Sequence, residues 1–295
     1  MKVIAKIIFS FTLVLLSTIS FAQKGKVIEE RTVKSAALNR AVKYTIYLPA
    51  DYETSDRTYP IVYLLHGYTD NHTGWLQFGE INRLADAAIA DGTIPPMIIV
   101  MPNGDSSWYI NSYDGKEKYE DFFINEFMPT IEKTYRIKAE RRYRGIAGLS
   151  MGGYGTLILS LKHPELFSAA APLSAAVFDD NAMTSMPDQN YENTFGQLFG
   201  RGLKGKDRLN DAWFSNSVLK IVETKSAADI RKVRYWIDCG DDDFLTKGNC
   251  LLHIALTEKG VPHEYRVRDG AHSWTYWRTG IIPALAFIGD GFHQK

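Results

Sequence analysis

Tyr143-Arg144-Gly145-Ile146-Ala147-Gly148-Leu149-Ser150-Met151-Gly152-Gly153-Tyr154-Gly155-Thr156-Leu157-Ile158-Leu159-Ser160-Leu161 is the stretch that decides the fold. Its first five residues are short, partly apolar and β-compatible, and Gly153 onward reads as a helix that starts on small residues. Between them stands Gly148-Leu149-Ser150-Met151-Gly152, a Gly-x-Ser-x-Gly pentapeptide on a strand-to-helix turn. Such a turn forces the serine into a tight backbone conformation, and glycines two residues away on each side let neighbouring chain approach without a clash. The hydroxyl then stands clear at the start of a helix, whose dipole favours developing negative charge.

Outward from that turn, strands alternate with helices. Residues 26–33 and 41–48 read as antiparallel strands, with Val42, Tyr44 and Ile46 alternating with polar or small neighbours. The near-continuous apolar runs 60–65 and 97–101 read as buried strands, the first bounded by His66-Gly67 and the second by Pro102-Asn103-Gly104. Helices are expected at 76–90, 119–135, 250–259 and 276–288, and further strands at 167–173, 233–237 and 263–267. This pattern predicts an α/β fold: a mostly parallel central sheet with helices on both faces and ligands bound beyond the carboxyl ends of the strands. Residues 176–216, rich in Met, Phe and Gly without clear periodicity, are expected to form a cap or lid, with a surface excursion that packs only on itself as the alternative.

The first 22 residues read as a signal peptide: Lys2 and Lys6, an apolar run over 7–19, and Ser20-Phe21-Ala22 before a mature start at Gln23. The run is too short for a spanning helix, and no cysteine follows it to carry a lipid, so an exported chain without a membrane anchor is expected. Residues 23–295 are then one domain, since no linker, charge block or repeat divides them. The precursor is neutral, with 45% hydrophobic and 23% charged residues. That balance fits a globular enzyme with a full core and gives no sign of nucleic acid or an anionic membrane as partner. Cys239 and Cys250 fall far short of a disulfide framework, and two half-buried thiols are expected, with a local bridge as the alternative.

A serine so presented needs a base, a group to orient the base, and donors for an oxyanion. His272 follows the last predicted strand on a loop of small residues, Asp269-Gly270-Ala271. Asp238, Asp241, Asp242 and Asp243 cluster at the end of the strand before it, in the chain order Ser, acid, His. The oxyanion donors expected are the N–H of Met151, next to the serine, and that of Tyr68 in His66-Gly67-Tyr68. His66 is read as shaping its loop and His72 as a solvated polar residue. His163, His253, His263 and His293 have no partner pattern. No metal-ligand spacing occurs, and the three consecutive aspartates lack the spacing and distal glutamate of a calcium loop, so neither metal nor cofactor is expected. Trp75, Trp108, Tyr109 and Trp274 fall near the catalytic edge and are candidate substrate contacts, since aromatic faces stack on sugars and aryl groups.

Taken together, Leu64-Leu65-His66-Gly67, Met101-Pro102-Asn103-Gly104, the Ser150 pentapeptide with Gly153, Cys239-Gly240-Asp241-Asp242-Asp243 and Gly270-Ala271-His272-Ser273-Trp274 resemble the esterase D-like esterases, a group that includes bacterial feruloyl esterases and the mycolyltransferases. The resemblance implies an α/β-hydrolase fold and places the acid on Asp243, the base on His272 and the oxyanion donors on Tyr68 and Met151. The sequence departs from the pattern in Ala271, where glycine is common, and in its run of aspartates. What the resemblance implies is an exported serine carboxylic-ester hydrolase acting on feruloyl or acetyl esters of plant polysaccharide. An acyltransferase delivering to a carbohydrate hydroxyl, and a non-catalytic carbohydrate-binding module on the same fold, are the alternatives. The sequence leaves the oligomeric state open.

Overall fold

A computed structural model describes residues 24–293, so the expected leader lies outside the described residues. Eight strands form one sheet: β1 (Lys26–Ser35), β2 (Arg40–Leu48), β3 (Ile61–Leu65), β4 (Ile98–Pro102), β5 (Arg144–Leu149), β6 (Ala169–Leu173), β7 (Arg234–Gly240) and β8 (His263–Arg268), in the order β1-β2-β4-β3-β5-β6-β7-β8. The run from β4 to β8 is parallel throughout, and β2 joins it antiparallel to β4. The mostly parallel α/β sheet is therefore as expected, with an antiparallel pair at one edge.

The central strands are buried on both faces, and their period of two sorts the side chains into two cores. Ile61, Tyr63, Leu65, Ile146 and Ile237 point toward the helices of residues 119–134, 151–162 and 180–258. Val62, Leu64, Ala147, Leu149 and Trp236 point toward the helices Ile81–Ala90 and Trp274–Asp290. Among the described residues no helix is long and apolar enough to cross a membrane.

Two helices differ from their expected form. Residues 76–90 break into Gly74–Gln77 and Ile81–Ala90, with Glu80 in the left-handed region at φ 51°. The break comes where the chain presses on Trp75: a Cβ on Gly79 would collide with the Trp75 carbonyl and ring. It leaves Phe78 half exposed. Residues 119–135 are helical but contain a π turn at Phe123–Phe127, next to Pro129, whose missing N–H cannot continue a regular ladder.

Residues 176–216 fold into short helices, Asp180–Ser185, Asp188–Thr194, Gly196–Phe199 and Asp211–Asn216. Met183, Tyr191, Phe195 and Phe199 are all turned inward and buried. Their polar anchor is Arg208, fully buried, which donates to the carbonyls of Leu203, Met183 and Met186 and to Asp188 while lying over the Tyr191 ring. Truncating Arg208 to Ala strands three carbonyls at once. The expected loss is about 3 kcal/mol of stability, seen as a lower urea midpoint at unchanged slope. A change below about 1 kcal/mol would show that the insertion does not depend on this anchor.

Candidate active site

The turn at Ser150 is built from the glycines around it. A Cβ on Gly152 would lie inside contact distance of the Leu65 and His66 carbonyls, and one on Gly148 would meet Leu65 and the Gly152 backbone. Only glycine lets the start of the helix Met151–Lys162 sit so close to the end of β3. Ser150 itself takes φ 55° and ψ −115°, a conformation that costs about 1–3 kcal/mol in a non-glycine residue. Its backbone is held from three sides: its N–H donates to Leu173 O (3.0 Å), and its carbonyl accepts from Tyr154 (2.9 Å) and Ala176 (3.0 Å).

Ser150 Oγ stands 3.0 Å from His272 Nε2, and His272 Nδ1 stands 2.8 Å from Asp243 Oδ2. The carboxylate can only accept from Nδ1, so Nε2 is the acceptor for the serine hydroxyl. Asp243 Oδ1 takes the N–H of Leu245 at 2.8 Å. Burial pushes the Asp243 carboxyl up, but hydrogen bonds from His272, Leu245 and Ser174 outweigh it and hold the group below its ordinary value.

The two loops that carry these groups are laced together. Asp241 N–H donates to Arg268 O and Asp242 N–H to Gly270 O, while Asp241 Oδ1 accepts the Gly270 N–H at 3.0 Å. Gly270, at φ 142°, occupies a region open only to glycine. Behind Asp243, Asn249 donates to Ala175 O and Leu245 O, fixing the helix Thr246–Glu258 against the loop that follows β6. Asp238 faces elsewhere. Fully buried, it forms a bidentate pair with Arg268 at 2.8 and 2.9 Å, a tie between β7 and β8. Asp242 is exposed.

The Met151 and Tyr68 N–H groups find no acceptor among the described residues. Met151 opens its helix, so its N–H has no partner within it. The Tyr68 loop is brought close by Gly67, where a Cβ would sit 3.6 Å from Ser150 Cβ.

The aromatic candidates divide. Trp274 lines a cleft of about 380 Å³ together with Tyr68, Asp70, Phe78, Ser150 and His272. Trp75, Trp108 and Tyr109 are buried and do not line it, a correction to the expected substrate contacts. Trp75 Nε1 donates to Leu65 O at 2.9 Å and the Tyr109 hydroxyl to His66 O at 3.0 Å, so both polar tips tie down the carbonyls that precede Gly67. Trp108, at φ 55°, turns inward against Phe195, Tyr154 and Tyr68. The aromatic residues of 176–216 do not line the cleft either.

Sequence reasoning missed Ser174, which receives the Trp277 indole N–H at 3.0 Å and helps hold the Asp243 carboxyl below its ordinary value. Its signal was a polar residue directly after the buried strand 169–173. Asp70 and Phe78 were missed as well. The Asp70 carboxyl is raised by burial, which the Asn71 N–H only partly offsets. His72, expected to be solvated, is buried and bonded to Glu30 at 3.0 Å beside the bulge in β1. Cys239 and Cys250 are free thiols, and burial pushes Cys239 up to about 12. His163 meets Glu120, and His253 meets His263 at 2.7 Å.

His66 is a structural ring. Its Nδ1 donates to Gly67 O (2.8 Å) and its Nε2 accepts the Gly104 N–H (2.7 Å), which requires the neutral tautomer. Burial pushes it down to about 4 from 6.5. With the folded value depressed, its contribution is complete above the unfolded value and is lost as pH falls toward 4. The loss amounts to about 3 kcal/mol. Urea unfolding between roughly pH 7 and pH 4 should show a steep acid limb in the wild type and a flatter one in His66→Gln, whose amide can copy both bonds. Equal slopes would remove His66 from the acid response.

Residues 35–288 match the family described as "Putative esterase". An endo-1,4-beta-xylanase/feruloyl esterase of Xylanibacter ruminicola is 35% identical over 235 residues, covering 77% of this chain and 31% of the relative. The chain thus spans about a third of that relative's length. An acetyl esterase of Caldicellulosiruptor saccharolyticus is 28% identical over 229 residues, 77% of this chain and 82% of the relative. A solved ferulic acid esterase superposes with a TM-score of 0.78 at 34% identity, covering 91% of this chain and 99% of that one. The chain belongs to this esterase family, and its domain is a serine ester hydrolase of the α/β-hydrolase fold.

Proposed function

We propose that the protein is an exported hydrolase of feruloyl or acetyl esters on plant polysaccharide, with Ser150 as nucleophile, His272 as base and Asp243 as orienting acid. The observation that carries the reading is the hydrogen-bonded row from Ser150 Oγ through His272 to Asp243. Ser150 Oγ attacks the ester carbonyl carbon as His272 Nε2 takes its proton. The Tyr68 and Met151 N–H groups receive the charge on the carbonyl oxygen. Collapse of the tetrahedral adduct breaks the ester C–O bond, and His272 returns the proton to the departing alcohol. Water then attacks the acyl-serine by the same route and releases the acid.

The cleft's size suits a small aryl or acetyl acyl group, and Phe78 and Trp274, with ring centroids 5.8 Å apart, offer an apolar wall. The names of the relatives, a feruloyl esterase and an acetyl esterase, point to the same esters. Export rests on the basic and apolar pattern of residues 1–22.

Methyl ferulate, acetylated xylan and 4-nitrophenyl butyrate, assayed side by side, test the substrate class. Hydrolysis of the aliphatic ester alone would overturn it. Product analysis with a xylo-oligosaccharide acceptor tests the reaction type, and a majority of transfer product would replace hydrolase by acyltransferase. Ser150→Ala should leave a folded protein with turnover reduced by several powers of ten. Asp243→Asn should lower kcat by up to about 10⁴-fold with little change in KM. Asp238→Asn, by contrast, should mainly lower stability, because it leaves Arg268 without its carboxylate. A larger kcat loss at Asp238 than at Asp243 would reverse the assignment of the acid.

A further inference from the structure

Tyr113 is a large aromatic side chain that the fold does not use: 62% of it is exposed. It is held there by a rigid turn. Ser112 N–H donates to Glu117 O, Gly115 N–H donates to Ser112 O, and Asp114 Oδ1 accepts both the Ser112 hydroxyl and the Lys116 N–H. Tyr113 N–H in turn donates to Gln197 O at 3.0 Å, which docks the turn on the helix Gly196–Phe199. Between the two lies a groove of about 550 Å³ lined by Tyr113, Asp114, Lys116, Gln197 and Arg201. An aromatic face beside a carboxylate, an amide and a guanidinium matches the chemistry of a sugar ring, whose C–H face packs on the aromatic and whose hydroxyls bond the polar fringe. Because the turn is already ordered, little conformational entropy remains to be lost on binding.

The groove and the cleft are joined by one side-chain contact and a short stretch of chain. Tyr68, which lines the cleft, reaches Asn193 O with its hydroxyl at 3.4 Å. Asn193 lies near the end of the helix Asp188–Thr194, and Gln197 lies in the short helix Gly196–Phe199 that follows it. We infer that the Tyr113 groove is a distal subsite for the glycan chain that carries the scissile ester. The inference rests on the glycan-ester reading above and adds to it the surface that holds the chain.

Affinity electrophoresis in gels containing unesterified arabinoxylan reads binding without catalysis. The wild type and Tyr113→Phe should be retarded, and Tyr113→Ala should run free. In hydrolysis of a feruloylated arabinoxylan oligosaccharide, Tyr113→Ala should raise KM by roughly 3- to 10-fold, the effect of losing an interface anchor. Its kcat/KM on 4-nitrophenyl acetate should be unchanged, since that ester does not extend to the groove. Equal retardation of Tyr113→Ala and wild type, or no retardation of the wild type, would overturn the subsite. Failure of the wild type to hydrolyse any ester would instead strike the proposed function, while retardation would still report on the groove.

Discussion

The close approach of the Ser150 turn to the end of β3 is the constraint on which the site depends. The backbone of Gly148 and Gly152 lies against Leu65 and His66 with no room for a side chain. Two consequences follow from this single contact. It presses the N–H of Met151, free because it opens a helix, toward the loop that carries the N–H of Tyr68. It also holds Ser150 in its strained φ and ψ, because relaxation toward an ordinary conformation would move the helix start into the β3 carbonyls. The strain at one residue is thus carried by packing across two parallel strands.

A contact so tight needs β3's end to be immobile, and the surrounding residues supply that. Trp75 and Tyr109 bond the carbonyls of Leu65 and His66, while the His66 ring bridges Gly67 to Gly104 at the end of β4. Each of these side chains is buried and polar-tipped, the combination that gives packing area and a directed bond together. Their role is to position a backbone, and that is why they stand near the catalytic edge yet not in the cleft.

The sequence made the sheet legible because buried parallel strands read as short apolar runs closed by Gly, Pro or Asn, and every such run became a strand. That Ser150, Asp243 and His272 lie together was legible for a related reason: they follow strand ends, where the topology gathers loops. Trp75, Trp108 and Tyr109 were not. A loop aromatic looks the same in sequence whether it faces solvent or turns inward, and the left-handed φ of Trp108 and Tyr109 that turns them leaves no mark in residue type. Helix breaks at Glu80 and the π turn before Pro129 were hidden likewise, since apolar spacing continues across both. Ser174 escaped because a lone serine beside a strand end carries no pattern.

The two carboxylates in and just after β7 show how the fold assigns different work to similar groups. Asp238 lies within the strand, where its neighbour across the sheet is β8, and a fully buried charge there must be met by a cation, Arg268. Asp243 lies beyond the strand, where the chain has turned upward. Its surroundings supply hydrogen-bond donors rather than a fixed cation: Leu245 N–H and the His272 ring. A carboxylate neutralised by arginine would offer little field to an imidazole, whereas one held only by neutral donors keeps its full charge directed at Nδ1. That difference, fixed by a few residues of chain, suits Asp238 to holding the sheet and Asp243 to the proposed role of stabilising an imidazolium.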